Sequence, residues 1–129
     1  MRALDSAIFS PLFSDAQISA LFSDQAYIRA LVEVEAALAR AHAKLGVIPA
    51  IAAERISRVQ PAAIDIDTLT QGTVRSGFPI IALVQQLRRQ AGEEAAPYVH
   101  WGATTQDIMD TASVVQMRAA IVLLWPAIR

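Results

Sequence analysis

The chain has 129 residues, of which 54% are apolar and 18% are charged, and its mean hydropathy is +0.38. Its 11 basic and 12 acidic side chains leave a net charge of −1, which excludes both a basic nucleic-acid-binding module and a highly charged disordered protein. Because the chain has no cysteine, a disulfide scaffold, a thiolate metal site and a cysteine nucleophile are excluded as well.

The first residues show no signal-type apolar segment, because an acidic residue, Asp5, follows closely on the N-terminal methionine. We therefore expect a cytoplasmic protein. Ser14-Asp15 is typical of a helix cap. It predicts a short helix whose apolar face consists of Ile18, Leu21 and Phe22.

A longer helix is predicted to begin at Ser23-Asp24 and to end at Gly46. Glycine favours the left-handed conformation that closes a helix, and Pro49 cannot continue it. Along this helix, apolar residues recur at spacings of three and four and form one apolar face, which consists of Tyr27, Leu31, Val34, Leu38, Ala41 and Leu45. Ile28 and Val32 form a second apolar line, so we expect this helix to have neighbours on more than one side.

Shorter helices and loops follow in the middle of the chain. The loop is predicted over residues 91–97, where glycine, glutamates and a proline interrupt the apolar pattern. The predicted helices run from Pro49 to Arg58, with a break at Pro61, from Asp67 or Thr68 to Gly77, and from Ile80 to Arg89.

The final helix is predicted to begin at Thr104 and to run to Arg129. It lacks a terminal glycine, so we expect it to continue in a longer protein. Its most apolar stretch, residues 119–128, is only ten residues long and contains Pro126. Since about 18 consecutive apolar residues are needed to span a bilayer, we expect no membrane span and attribute the apolar excess to contacts with other protein.

Unusual polar residues concentrate where this final helix begins. The chain turns at Gly102 and enters the helix, whose first turn favours a bound anion. Thr104 and Thr105, with His100 nearby, are candidate ligands of a carboxylate. Alternatively, Thr104 and Asp107 form a capping arrangement that serves stability alone.

The two histidines lead to different expectations. His100 lies in a loop, where an imidazole can bind an anion or transfer a proton. His42 lies on the long predicted helix and is expected to be a packed or solvated residue without chemistry. Neither has a partner at metal-ligand spacing, and we expect no metal and no cofactor.

A second polar segment, residues 71–79, lies between two apolar helices. Ser76 and Arg75 are candidate substrate-binding residues there, since arginine can bind an anion through two parallel hydrogen bonds. The alternative is an ordinary surface loop with an exposed arginine.

The run from His100 to Thr111, His-Trp-Gly-Ala-Thr-Thr-Gln-Asp-Ile-Met-Asp-Thr, resembles the first signature region of the fumarase/aspartase superfamily. That region has the form His-x-Gly-x-Thr-Ser/Thr-x-Asp-x-x-Asp-Thr in adenylosuccinate lyases and 3-carboxy-cis,cis-muconate cycloisomerases. Residues 32–49 and 76–84 resemble the first long helix of that superfamily and a segment before a later helix. The closest resemblance is to the muconate cycloisomerase branch.

This resemblance implies a polycarboxylate substrate and addition or elimination across a C=C bond. In the cycloisomerase branch, a substrate carboxylate attacks the double bond within the same molecule and gives a lactone, 4-carboxymuconolactone. No metal or organic cofactor is implied. The implied roles are carboxylate binding for Thr104, Thr105 and Gln106, a catalytic position beside the substrate for His100, and structural motif positions for Gly102, Asp107 and Asp110.

The implied fold is all-α, with an N-terminal helical domain at residues 1–103 and the first helix of a central helical bundle at residues 104–129. The resemblance also implies a homotetramer, and general acid/base residues downstream of residue 129. Phe78 and Ala82 depart from the pattern, which has a more polar residue and a proline there in many relatives. A non-catalytic helical association module is the alternative from a different functional class.

Overall fold

The computed structural model describes residues 3–128, which form helices and connecting loops without a β-strand. This confirms the predicted all-α class. The longer elements are α1 (Ser10–Phe13), α2 (Ala16–Leu21), α3 (Asp24–Lys44), α4 (Ala50–Ser57), α5 (Ile66–Ser76), α6 (Ile80–Ala91) and α7 (Thr105–Ile128). Single 3-10 turns occupy Ala3–Asp5, Pro61–Ala63 and Ala96–Tyr98, the last of them at the end of the predicted loop.

Local capping explains where the first predicted helices begin and end. The Asp15 carboxylate accepts hydrogen bonds from the backbone N–H groups of Gln17 and Ile18 at the start of α2. The Ser23 hydroxyl accepts from Ala26 N–H at the start of α3. Gly46 follows α3 with φ +70°, the left-handed conformation expected of it.

The predicted start of α5 is wrong by about two residues. Asp65, rather than Asp67 or Thr68, is the cap, and its carboxylate accepts a 2.7 Å hydrogen bond from Thr68 N–H. Asp65, Asp67 and Thr68 are all capping residue types, and a contact with α6 also holds the first of them. The buried side chain of Gln86 on α6 donates to the Asp65 carbonyl and accepts from its N–H, which fixes the backbone at that position.

The core surrounds α3, which packs against α4 on one side and α7 on another. This confirms the expectation that the long helix has more than one neighbour. Helix α6 packs against α4, α5 and α7 and so completes the layer beside α3. The largest fully buried apolar side chains are Leu31, Ile56, Ile80, Leu83, Leu87, Val99 and Ile108.

Close contact between α5 and α6 depends on Gly72. A Cβ atom at this position would lie 2.4 Å from the Cβ of Ala82, which is far inside van der Waals contact. The small residues at 72 and 82 therefore bring the two helices together and set the position of the turn between them.

Helix α7 has two different parts. The first two thirds, residues 105–120, bury one side chain in every fourth position, namely Ile108, Ala112, Gln116 and Ala120, whereas residues 121–128 are all exposed. The expected domain boundary between residues 103 and 104 stays a prediction.

By length and composition alone, α7 could cross a membrane. Its most apolar 18-residue window has a mean hydropathy of 1.5, and 17% of that window is buried. The sequence contains no uninterrupted apolar run of 18 residues, and the mean hydropathy of a window can be high without such a run. One helix of this length and composition is weak evidence for a membrane span.

Candidate functional site

A tight loop carries His100 to the start of α7. His100 and Gly102 both have left-handed backbones, with φ +63° and +71°. Such a conformation is easy for glycine but costs other residues about 1–2 kcal/mol. Val99 anchors the loop in the core, and the ring centroids of Tyr98 and Trp101 lie 6.2 Å apart.

Glu35 of α3 holds the imidazole of this loop. Its Oε1 lies 2.6 Å from Nδ1 of His100, and Glu35 is only 2% exposed. The other carboxylate oxygen, Oε2, is buried and has no hydrogen-bond partner among residues 3–128. Burial raises the pKa of Glu35, while the hydrogen bond and charge of His100 and the charge of Arg88 oppose that rise.

The start of α7 is held by a reciprocal pair of side chains. The Thr104 backbone N–H and hydroxyl each donate a 2.8 Å hydrogen bond to Oδ2 of Asp107, and Asp107 N–H lies 3.4 Å from the Thr104 hydroxyl oxygen. This is a capping box, the arrangement that the sequence offered as the alternative interpretation of Thr104 and Asp107. These hydrogen bonds keep the pKa of Asp107 below its usual range.

Thr105 remains free for a ligand. Within residues 3–128, its hydroxyl makes no hydrogen bond, and its backbone N–H and that of Gln106 belong to the helix turn that has no intrahelical acceptors. The Gln106 side chain instead donates to Asp110 at 3.2 Å. Thr105 is thus the hydroxyl of the motif that is available for binding.

Thr105 lies where two clefts meet. One cleft of about 640 Å³ is lined by Phe78, Thr104, Thr105, Gln106, Met109 and Asp110. A smaller one of about 270 Å³ is lined by Ile80, Ile81, Val84, Gln85, Arg88, His100 and Thr105. The larger cleft has a volume suitable for a small organic ligand, and its polar lining residues all lie at the start of α7.

The structure does not bring Arg75 and Ser76 into these clefts. Arg75 is exposed, and its Nε donates to the Gln71 carbonyl at 3.3 Å. The Ser76 hydroxyl lies 2.9 Å from the carbonyl oxygens of Gly72 and Phe78 and serves the end of α5. A binding role for either residue stays a prediction.

Sequence reasoning missed Glu35 and Arg88 as site residues. Glu35 shares the buried face of α3 with Leu31 and Ala39, so a carboxylate on an apolar face was the available signal. Arg88 lines the smaller cleft with His100, and its Nη2 lies 3.5 Å from the Val99 carbonyl oxygen. No local pattern distinguished Arg88 from its neighbour Arg89.

His42 is a packed residue, as expected. It is partly buried on α3, its Nδ1 has no partner among residues 3–128, and its Cε1 would lie 3.7 Å from a Cβ at Gly102. Among residues 3–128, the structure contains no group of three or more histidine, aspartate or glutamate side chains that could hold a metal ion.

The chain is similar in sequence and in structure to several named enzymes. It is 43% identical over 125 residues to 3-carboxy-cis,cis-muconate cycloisomerase of Acinetobacter baylyi, a match covering 92% of this chain and 28% of that protein. It is 38% identical over 125 residues to nitrosuccinate lyase of Streptomyces davaonensis, covering 94% and 26%. The crystal structure of β-carboxy-cis,cis-muconate cycloisomerase from Acinetobacter calcoaceticus matches with a TM-score of 0.86 and 41% identity, covering 91% and 28%. By sequence and fold, the chain belongs to the fumarase/aspartase superfamily.

Membership in this superfamily confirms the resemblance seen in the signature region. No protein-family model matches the chain. The chain spans about a quarter of the length of these curated relatives and corresponds to their N-terminal portion.

Proposed function

We propose that the chain forms the N-terminal part of a 3-carboxy-cis,cis-muconate cycloisomerase-like enzyme. The observation that carries this proposal is the meeting of His100 and Thr105 in one cleft, at a helix start with free N–H groups. The similarity to two named muconate cycloisomerases supports the choice of substrate.

In this proposal, a substrate carboxylate is bound at the start of α7. Thr105 donates its hydroxyl hydrogen, and the first-turn N–H groups of Thr105 and Gln106 add donors of partial positive charge. Thr104 contributes mainly by holding the turn, because its hydroxyl already donates to Asp107. These donors would stabilise negative charge that develops on the carboxylate during the reaction.

The reaction proposed for the complete protein is an intramolecular addition. A second substrate carboxylate forms a C–O bond to one alkene carbon, and a proton is added at the neighbouring carbon, which gives the lactone. His100 lies beside the bound substrate in this arrangement. Arg88, in the same cleft, supplies positive charge for a polyanionic substrate.

We further propose that the complete protein is a cytoplasmic homotetramer that uses no cofactor and binds neither membrane nor nucleic acid. Support for the assembly comes from the C-terminal third of α7, residues 121–128, which is apolar and exposed. An apolar face of this size fits contact with other helices. Arg75 and Ser76 would bind substrate only from a part of the site outside the two clefts.

The first experiment is turnover by the complete gene product. We expect 3-carboxymuconate to be consumed with loss of its diene ultraviolet absorbance. Turnover of adenylosuccinate or nitrosuccinate without turnover of 3-carboxymuconate would replace the proposal by a β-elimination enzyme, the second candidate, which the similarity to nitrosuccinate lyase favours. A stable oligomer without affinity for any polycarboxylate would indicate a non-catalytic association module.

The second experiment is Thr105→Val in the same protein. Losing one donor to developing charge typically lowers kcat about 10²–10³-fold, or about 2.7–4 kcal/mol. Thr111→Val is the matched control, because Thr111 lies farther along α7 and its hydroxyl only donates to the Asp107 carbonyl. Equal rates for wild type and Thr105→Val would contradict the carboxylate-binding role.

A further inference from the structure

Glu35 is poorly explained as a stabilising residue. It is buried, it makes one hydrogen bond, and its second oxygen has no partner within residues 3–128. Burying a carboxylate with unsatisfied oxygen is costly, and replacing buried ion pairs by apolar side chains of similar volume is often neutral or stabilising. A packing role alone would be served better by an apolar residue.

The conformation of His100, like the burial of Glu35, is costly for stability. Its backbone is left-handed, with φ +63°, a conformation that strains a residue other than glycine, and Nδ1 of its side chain lies 2.6 Å from Oε1 of Glu35 on α3. The same residue lines the cleft that contains Thr105 and Arg88. A strained residue held between a buried carboxylate and a cleft is typical of a functional position.

The geometry determines what an ionised Glu35 does to the imidazole. A carboxylate accepts hydrogen bonds only, so the Nδ1 atom facing it must carry the hydrogen. The Nε2 atom of the neutral ring is then left as the acceptor. Fixing one histidine nitrogen by a carboxylate thus decides what the other nitrogen can do.

We propose that Glu35 is a positioning residue that holds His100 as the Nδ1–H tautomer, with Nε2 presented to the cleft. Glu35 does not touch the substrate in this arrangement and acts through His100. This inference rests on the proposed function for its effect on catalysis, whereas the tautomer itself is a property of the protein without substrate.

The test combines Glu35→Met with histidine nitrogen NMR of the complete protein. Methionine fills a similar volume and removes the acceptor. In protein labelled with ¹⁵N-histidine, the His100 signals are identified by their loss in His100→Asn. We expect a protonated Nδ1 and an unprotonated Nε2 in the wild type, and loss of this preference in Glu35→Met. We also expect kcat to fall about 10–100-fold, by analogy with the loss of the hydrogen-bond partner of a metal-bound imidazole, with little change in KM.

Glu33→Met is the matched control, because Glu33 lies on the same helix but is exposed and paired with Arg40 at 2.8 Å. It should leave the His100 tautomer and kcat unchanged. A wild-type His100 with its hydrogen on Nε2 overturns the proposal even if Glu35→Met does not fold. An unchanged tautomer in a folded Glu35→Met protein overturns it too. If the wild type turns over no muconate, the proposed function fails, while the tautomer measurement still decides the role of Glu35.

Discussion

Two carboxylates hold the loop of residues 100–104: the buried Glu35 binds its first residue, and the exposed Asp107 binds its last. Glu35 binds His100 from the buried face of α3, and burial raises its pKa. Asp107 is exposed, binds Thr104 within one helical turn, and has a lowered pKa. The inner contact joins residues 65 positions apart, whereas the outer contact joins residues three positions apart. The inner carboxylate therefore carries an electrostatic cost that the outer one avoids.

The largest expected change in stability tests how much the start of α7, which carries Asp107, depends on apolar packing rather than on the capping box. Ile108 follows Asp107 directly and is 2% exposed in the core. Ile108→Ala should lower the free energy of unfolding by about 2–5 kcal/mol, since it leaves a cavity. Urea unfolding followed by circular dichroism measures this. Val74→Ala, at an exposed position of α5, should change it by less than about 0.5 kcal/mol, and an equal effect of both would contradict the packing assignment.

A smaller effect is expected when the capping box itself is opened. Thr104→Ala removes the hydroxyl that bonds Asp107 and should lower stability by about 0.5–2 kcal/mol in the same urea experiment. Thr104→Ser keeps the hydroxyl and should restore most of the loss. If serine and alanine are equally destabilising, the hydroxyl does not hold the start of α7.

The smallest signal is the pH dependence that separates the two carboxylates. The lowered pKa of Asp107 means that its contribution to stability is present above the usual aspartate pKa of 3.8 and is lost as the pH falls through its folded-state pKa. The raised pKa of Glu35 has the opposite effect, because burial costs the ionised carboxylate more than the protonated one. Its contribution to stability is highest below the usual glutamate pKa of 4.5 and falls as the pH rises through the folded-state pKa, above which Glu35 is ionised.

Urea midpoints measured across acidic pH check these signs. The stability of wild type relative to Asp107→Asn should increase with rising pH, and that of wild type relative to Glu35→Gln should decrease. Two differences that change in the same direction would refute the contrast between the buried and the exposed carboxylate.

Local sequence patterns predicted much of the helical framework because caps act over three or four residues. Ser23, Gly46 and Gly77 lie where α3 begins, where it closes and where α5 ends, and the signature motif from His100 to Thr111 was sufficient to suggest the superfamily. The start of α5 was misplaced because Asp65, Asp67 and Thr68 are all capping residue types, and the local pattern does not choose among them. In the structure, Gln86, 21 residues away, also holds the backbone of Asp65.

The candidate site shows the same division. Thr104, Thr105 and Asp107 were accessible to sequence reasoning, since they belong to one helical turn. Arg75 and Ser76 were chosen by residue type, and the clefts contain neither of them. Glu35 escaped notice because its partner comes from a distant part of the chain.

The sequence by itself determined the helical class, most helix ends and the polar motif at the start of α7, because apolar periodicity and capping are local properties. Only the tertiary structure decided that Glu35 meets His100, that Arg88 lines the same cleft as His100, and that α7 buries side chains only up to Ala120. These features depend on how α3, α6 and α7 pack together, and no periodicity within a single helix encodes such a meeting.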